Sequence, residues 1–359
     1  MTLDAGGTNL VFSALQGNRQ IVDEIVMPSE SDNLDKCLSN IVKGFENVIN
    51  ILQVQPAAIS FAFPGPADYP NGIIGDLPNL PAFRGGVALG PMLQEKFGLP
   101  VFINNDGDLY AFGEAIAGYL PYINEQLEKA GSPKRYKNLL GLTLGTGFGA
   151  GIVNDNKLFT GDNSIAGEIW LMRDKLRPES NIEEHASIRG IRRIYARECG
   201  ICDKDTPLPK EIYEIAKGVK HGNREAAIKA FDEMAEAVGD AISNAVTLID
   251  GIVVIGGGLA GAADIFMDKI VSEMNGSFIS SEGKLFKRLV ADVYNLEDPR
   301  KANEFLKGNP KEITVYGTNK KVIYDSGVRI GIGISKIGTS NAIAIGAYTY
   351  ALNSLDKNQ

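Results

Sequence analysis

The chain has 359 residues, 44% of them hydrophobic, and a formal net charge of −8 at pH 7. It is long for a single domain, so we expect two domains with sizeable cores. No basic stripe favours nucleic acid or an acidic membrane surface, and no apolar run reaches membrane-spanning length. Three cysteines in so long a chain argue against a disulfide framework.

Residues 1–15 predict a strand, a glycine turn and a second strand. Only three residues precede Asp4, whereas a buried strand usually has about five or six. We therefore expect the native start to lie a few residues upstream. No secretory leader is visible at this end, which favours a cytoplasmic location.

Hydrophobic periodicity predicts the elements that follow. They are a helix over 33–53, a strand over 58–63, a loop over 68–87, a helix over 89–97, a strand over 101–104 and a helix over about 107–118. Two strands around a glycine turn follow within 138–153. Helices are predicted over 182–198, 224–250, 262–274 and 341–355, and strands over 252–255, 313–316, 321–324 and 329–334. This alternation indicates an α/β fold, and the strand–turn–strand at 139–153 echoes residues 1–15.

Three glycine turns are candidate phosphate-binding elements. They contain Asp4, Gly6, Gly7 and Thr8; Gly145, Thr146 and Gly147; and Gly256 and Gly257. Glycines let backbone N–H groups approach a phosphate closely, and an acidic residue such as Asp4 can hold Mg²⁺ or its water shell. Each turn alone is also explained as a structural hairpin. The first turn lacks dinucleotide-binding spacing, and no P-loop is present.

In this order, the three turns resemble those of the ROK family of sugar kinases and repressors, within the actin-like ATPase superfamily. The resemblance implies two ribonuclease H-like domains around a cleft, with 1–107 plus 340–359 as the smaller and 108–339 as the larger. It implies ATP with Mg²⁺, phosphate contacts at the first two turns, and adenosine beside Gly256 and Gly257. It also implies a homodimer.

Asp106 is the candidate catalytic residue. It follows an apolar strand that ends in Asn104 and Asn105, and ligands of α/β sheets bind beyond the carboxyl ends of strands. Phosphoryl transfer to a hydroxyl needs a group that takes the proton, although a helix cap is the competing interpretation. The resemblance implies that Asp106 is the base and Asn105 a sugar ligand. Asp108 departs from the family pattern, and we interpret it as a first-turn helix residue.

The resemblance also implies sugar contacts for Gly65, Asn79, Glu168 and Glu183. A carboxylate suits this task because it accepts hydrogen bonds from two vicinal hydroxyls. For Gly65 and Asn79, an ordinary turn is the alternative.

The chain departs from the family after Glu168. Trp170 and Leu171 replace a Gly-His pair, and residues 173–181 contain none of the family's zinc-binding cysteines, so we expect no structural zinc. Trp170 either stacks on a sugar or fills the core, and we favour the core. We interpret His185 as a helix-start residue, and Cys199 and Cys202 as structural.

These observations predict ATP-dependent phosphorylation of a hexose or N-acetylhexosamine, at the 6-hydroxyl. The alternatives are a sugar-responsive regulator of the same family, a sugar-binding protein without catalysis, and another actin-like ATPase. A regulator would carry an N-terminal DNA-binding module, for which the position of Asp4 leaves no room. An intact Asp106 argues against a non-catalytic protein.

Overall fold

A computed structural model of the chain describes residues 1–5, 8–17, 19–65, 67–75 and 81–356. The predicted site residues Gly6, Gly7 and Asn79 lie outside this described part. Within it, strands and helices alternate along the chain, as the sequence indicates. None of the described helices has the length and apolar character needed to cross a membrane.

The first part of the chain forms one sheet and two helices that cover it. Its elements are β1 (Thr2–Ala5), β2 (Asn9–Gln16), β3 (Arg19–Pro28), α1 (Leu34–Ile51), β4 (Ile59–Ala62), a 3₁₀ helix (Pro81–Phe83), α2 (Leu89–Phe97) and β5 (Val101–Asn104). Helix α1 begins after Asn33, whose side chain accepts a hydrogen bond from the Lys36 N–H. Its apolar face, which includes Ile41 and Phe45, is buried in the core of this part.

The second part contains a larger sheet, eight helices and two small hairpins among the described residues. The elements up to the centre of the sheet are α3 (Asp106–Ile116), α4 (Tyr119–Lys129), β6 (Leu139–Leu144), β7 (Phe148–Asn154), β8 (Lys157–Phe159), 3₁₀ helices (Ile169–Leu171 and Ile182–Glu184), α5 (Ile188–Cys199), a 3₁₀ helix (Asp203–Asp205), α6 (Pro209–Ala216), α7 (Arg224–Ile249) and β9 (Ile252–Gly256). The remaining elements are a 3₁₀ helix (Gly258–Ala262), α8 (Ala263–Met274), β10 (Ser277–Ile279), β11 (Leu285–Lys287), β12 (Asp292–Asn295), α9 (Pro299–Lys307), β13 (Pro310–Thr314), β14 (Lys321–Asp325), β15 (Arg329–Ile334) and α10 (Thr339–Asp356).

The two sheets share one strand order over five strands, and the second sheet has a sixth strand at its parallel edge. Counted from the antiparallel edge, and among the described residues, the first sheet has the order β3-β2-β1-β4-β5 and the second has β8-β7-β6-β9-β15-β12. In both, an antiparallel three-stranded meander continues into parallel strands. The echo between residues 1–15 and 139–153 therefore corresponds to the hairpins β1–β2 and β6–β7. In the second hairpin, a glycine turn over residues 145–147 links β6 and β7.

Helices α3 and α10 join the two parts. They cross so closely that a Cβ atom on Gly113 would overlap the carbonyl of Ala342, and one on Gly346 would overlap that of Leu109. Helix α10 also contacts the first sheet, where the Ser60 hydroxyl donates to the Ala347 carbonyl at 2.7 Å. Helix α3 starts at Asp106 and α10 starts at Thr339, each within two residues of a predicted domain limit. The division into two domains at these limits stays a prediction.

One predicted helix is divided in the structure. Residues 182–198 form a 3₁₀ turn and then α5, because the Ser187 side chain accepts a hydrogen bond from the Gly190 N–H and begins the helix there. The hairpins β10–β11 and β13–β14 lie outside both large sheets and are exposed.

Candidate active site

A cavity of about 430 Å³ brings together loops from both parts of the chain. Its lining includes nine of the predicted site residues: Gly65, Asn105, Asp106, Gly145, Thr146, Gly147, Glu168, Glu183 and Gly257. Residues predicted separately as sugar ligands, base and phosphate-binding turns thus surround one space. That space is of the size that small-molecule sites usually have.

Three further predicted residues, Asp4, Thr8 and Gly256, are described but do not line this cavity. Asp4 lies in β1 and is paired with Ala62 of β4. Burial raises the pKa of Asp4, and the charge of Glu24 raises it further. The charge of Asp4 in turn raises the pKa of Asp106.

Asp106 is the first residue of α3 and opens into the cavity. Its Oδ1 accepts a hydrogen bond from the Gly107 N–H at 2.9 Å. Enclosure by the surrounding protein raises the pKa of this carboxyl, the Gly107 N–H partly offsets that rise, and the charge of Asp4 adds to it. A carboxylate that is accessible, oriented and of raised pKa is suited to accept a proton.

Asn105, rather than Asp106, is the cap of α3. Its Oδ1 accepts from the Gly107 N–H at 2.8 Å, and its Nδ2 donates to the Tyr69 hydroxyl at 3.4 Å. Tyr69 in turn donates to the Phe63 carbonyl at 2.9 Å. Because a Cβ atom on Gly65 would overlap the Tyr69 hydroxyl, the glycine is required for this arrangement. Asp106 shares the Gly107 N–H with this cap and lines the cavity.

Tyr69 is a site residue that the sequence did not reveal. It is buried, and burial together with the charges of Asp106, Asp108 and Glu168 raises its pKa. All three carboxyl groups thus lie within electrostatic reach of its hydroxyl. Tyr69 comes from a loop with no motif of its own, so only the tertiary structure identifies it.

Asp108 is in the first turn of α3, as predicted, but its environment was not foreseen. It is 2% exposed, and its Oδ1 has no hydrogen-bond partner among the described residues. Burial raises the pKa of Asp108 well above its ordinary range, and the charges of Glu168 and Asp106 add to the rise. This side chain costs stability whenever it is ionised.

Trp170 both fills core space and faces the cavity, although the sequence suggested these as alternatives. Its ring packs against the large core of the second part and also lines the cavity. Its indole Nε1–H donates to Oε2 of Glu168. The indole therefore orients the carboxylate that the resemblance assigns to the sugar.

Glu183 is held by two partners. Its Oε2 accepts from the Phe148 N–H at 3.0 Å, and its Oε1 accepts from Arg189 at 2.8 Å. Phe148 follows the second glycine turn directly, so Glu183 contacts the turn as well as the cavity.

The third glycine turn passes very close to the second sheet. Gly257 has φ +87°, and a Cβ atom there would overlap the Leu144 carbonyl. Its N–H donates to the Thr339 hydroxyl at 2.8 Å. Gly256 packs against the Tyr110 ring, and its Cβ would lie 2.6 Å from that hydroxyl. Both glycines are thus required by close packing, whatever they bind.

The segment 173–181 contains neither cysteine nor histidine, the residues that hold most structural zinc ions. Instead, the buried Asp174 carboxylate pairs with Nδ1 of His185, and the backbones of Arg173 and Asn181 form an isolated antiparallel β-bridge. Among the described residues, no cluster of three or more His, Cys, Asp or Glu side chains could hold a metal ion. Cys199 and Cys202 are unpaired, the first half-buried and the second exposed.

Comparison with known proteins decides the family. The ROK family model matches residues 1–295. The chain belongs to the ROK family. This confirms the resemblance drawn from the glycine turns and from Asn105 and Asp106.

Individual ROK relatives give the enzyme class and the fold. A solved structure of a glucokinase from Parabacteroides distasonis is 54% identical, with a TM-score of 0.90, and the match covers 98% of this chain and 96% of that one. An N-acetyl-D-glucosamine kinase from Photobacterium profundum is 29% identical over 276 residues, which is 72% of this chain and 83% of that protein. A glucokinase from Thermotoga maritima is 24% identical over 311 residues, 81% of this chain and 93% of that protein. These relatives are sugar kinases, which confirms the predicted enzyme class and the fold of two ribonuclease H-like domains around a cleft.

Proposed function

We propose that this ROK protein phosphorylates a hexose or N-acetylhexosamine at the 6-hydroxyl, with ATP as the phosphoryl donor. The observation that carries the proposal is the single cavity in which Asp106 faces the second glycine turn. A base on one side and backbone N–H groups on the other are what in-line transfer from a polyphosphate to a hydroxyl requires. The glucokinase and N-acetyl-D-glucosamine kinase relatives support both candidate sugars.

In this proposal Asp106 accepts the proton of the attacking hydroxyl. Asn105, Gly65, Glu168 and Glu183 orient the sugar, and Asn79 would add a contact. Trp170 keeps Glu168 turned so that its free oxygen is available to a sugar hydroxyl. Positioning and general-base help of this kind contribute about 10²–10⁴-fold to the rate.

The glycine turns would hold the nucleotide. Backbone N–H groups of the turns with Gly6, Gly7 and Thr8, and with Gly145, Thr146 and Gly147, would bind the phosphates. Gly256 and Gly257 would lie beside adenosine. A second cavity of about 420 Å³, lined in part by Ala260, Gly261 and Tyr213, adjoins this third turn and supports a nucleoside position there.

Mg²⁺ is implied with ATP, and the donor set fits it, since Asp4 offers a hard oxygen at the carboxyl end of β1. Asp4 would hold the ion or its water shell. Bound Mg²⁺ would neutralise charge on the transferring phosphates.

We further propose that the domains are 1–107 plus 340–359 and 108–339. We also propose that the protein is a homodimer and that it is located in the cytoplasm. Light scattering after size exclusion tests the dimer, and a monomer mass would contradict it.

The experiment that tests the function is an ADP-release assay with ATP and Mg²⁺ across a panel of sugars. The panel contains glucose, mannose, fructose, allose, N-acetylglucosamine and N-acetylmannosamine. We expect saturable turnover with at least one of them, and none with the 6-deoxy form of that sugar. Equal turnover with the 6-deoxy sugar contradicts the 6-hydroxyl assignment, and no turnover with any sugar contradicts the kinase proposal.

A further inference from the structure

The second glycine turn is tied at both ends to the segment that carries Glu183. At the first residue of the turn, the Gly145 carbonyl accepts a hydrogen bond from the Ile188 N–H at 2.8 Å. After it, the Phe148 N–H donates to Glu183 Oε2 at 3.0 Å. Gly145 also donates to Gly147 within the turn at 3.0 Å. The turn cannot shift relative to residues 183–188 without breaking one of these bonds.

Gly147 leaves space for the Glu183 carboxylate. A Cβ atom at position 147 would lie 2.6 Å from Glu183 Oε2, which is closer than non-bonded atoms allow. The carboxylate therefore packs directly against the turn that is proposed to hold phosphate.

Glu183 is fixed from its other side as well. Its Oε1 accepts from the exposed Arg189, which also pairs with Glu184 at 3.0 Å. Its backbone carbonyl accepts from the Ser187 hydroxyl at 2.7 Å, and Ser187 is the residue that caps α5. Glu183 thus contacts the start of α5 on one side and the second glycine turn on the other.

We propose that Glu183 is a positioning residue that couples the two substrate sites, transmitting sugar binding to the second glycine turn through its bond with the Phe148 N–H. The inference rests on the proposed kinase function. A sugar hydroxyl that donates to Glu183 restricts the carboxylate and, through Phe148, the turn. The nucleotide then meets a turn already held in its binding conformation, and preorganisation of this kind raises affinity.

Because binding free energies are reciprocal, nucleotide tightens sugar binding by the same factor by which sugar tightens nucleotide binding. The quantity to measure is therefore the ratio of the nucleotide Kd without sugar to the Kd with saturating sugar. Couplings between sites in proteins typically amount to about 5–150-fold.

The test uses calorimetric titration of the full-length protein with Mg²⁺ and a non-hydrolysable ATP analogue. Titrations are run with and without the panel sugar that the wild type phosphorylates fastest. We expect wild-type coupling of at least about fivefold. In Glu183→Asp the charge remains, but the side chain is one methylene too short for Phe148, and coupling should fall to near onefold.

Glu184→Gln is the matched control. Glu184 is the neighbouring carboxylate and also pairs with Arg189, but its contacts are with Arg189 and Arg193 and not with the turn. Its coupling should stay at the wild-type value. If Glu183→Asp does not fold, judged by circular dichroism, Glu183→Ala, which has no acceptor for the Phe148 N–H, replaces it in the same titration.

The outcomes separate this inference from the function on which it rests. Wild-type coupling in folded Glu183→Asp or Glu183→Ala, with only sugar affinity reduced, overturns the inference and leaves the kinase proposal intact. A wild type that phosphorylates sugar but shows no coupling also overturns it. Failure of the wild type to bind nucleotide or turn over any sugar counts against the function itself.

Discussion

Asp108 brings a third carboxyl group close to Asp106 and Glu168 without a hydrogen-bond partner for its Oδ1 among the described residues. Its pKa is raised in the folded protein, so folding becomes less favourable as pH rises from the unfolded pKa through the folded one. At neutral pH Asp108 therefore opposes folding.

We predict that Asp108→Asn stabilises the protein at neutral pH. The melting temperature should rise by about 2–4 °C for each kcal/mol recovered, a scale typical of chains of 150–250 residues, and the gain should shrink as pH falls toward the ordinary aspartate pKa of about 3.9, because protonation removes the charge of Asp108. Thermal unfolding followed by circular dichroism across this range measures it. Asp35→Asn is the control, because Asp35 is an exposed carboxylate in the first turn of α1; an equal rise in both variants would contradict the explanation.

The raised pKa of Asp106 predicts how activity depends on pH. Only the ionised carboxylate accepts a proton, so kcat/KM should fall as pH drops through the folded pKa of Asp106, which lies above the ordinary aspartate value of about 3.9. A profile of kcat/KM against pH measures this limb. If kcat/KM falls only at or below the ordinary aspartate pKa of about 3.9, the enclosure of Asp106 and the charge of Asp4 do not raise its pKa as described.

At this scale the sequence predicted the residues that line the cavity better than the residues that hold them in place. Asp106, Asn105, Glu168 and Glu183 follow strand ends or motifs, and motifs are visible in a sequence. Tyr69 and Arg189 lie in no motif, and their contacts depend on how distant segments pack. The burial of Asp108 was missed for the same reason, since its place in a first helical turn is equally compatible with exposure.

The glycine turns matter at the scale of elements, because their backbones must pass other backbones closely. At Gly257 the left-handed φ and the nearby Leu144 carbonyl both exclude a side chain. At the next residue, Gly258, no atom lies within 4 Å of where a Cβ would be. Gly257 and Gly258 therefore allow a matched comparison of alanine substitutions, because only position 257 lacks space for a side chain.

We predict that Gly257→Ala destabilises the protein by about 1–3 kcal/mol and raises KM for ATP, because the turn must move away from β6. Gly258→Ala should leave stability and KM close to wild type. Urea unfolding and steady-state kinetics on both variants measure these effects. Equal behaviour of the two variants would show that close packing at Gly257 does not set the position of the turn.

Elements with strong periodicity or clear boundaries were predicted well. Helix α2 and strand β5 have the predicted limits, and α7 differs by one residue. Strands β3, β8 and β12 and helices α4, α6 and α9 were not predicted, and neither were the short exposed strands of β10–β11. The strands of that hairpin have three residues each, too few for an alternating pattern to show.

For the whole molecule, the shared strand order of the two sheets explains why the functional residues converge. The hairpins β1–β2 and β6–β7 take equivalent places in the two sheets, and α3 and α10 hold the two parts together through glycine contacts. The sequence showed this duplication only as a faint echo, because the two copies share a backbone path rather than side chains. The cavity that results is the site of the proposed transfer.

The most direct test of this account compares the wild type with Asp106→Asn. The amide keeps the size of the side chain but cannot accept the hydroxyl proton, so kcat should fall by at least about 10²-fold. Sugar affinity, measured by calorimetry, should stay within a few fold of wild type, because Asn105, Glu168 and Glu183 remain. A variant that retains near-normal kcat would contradict the assignment of Asp106 as the base.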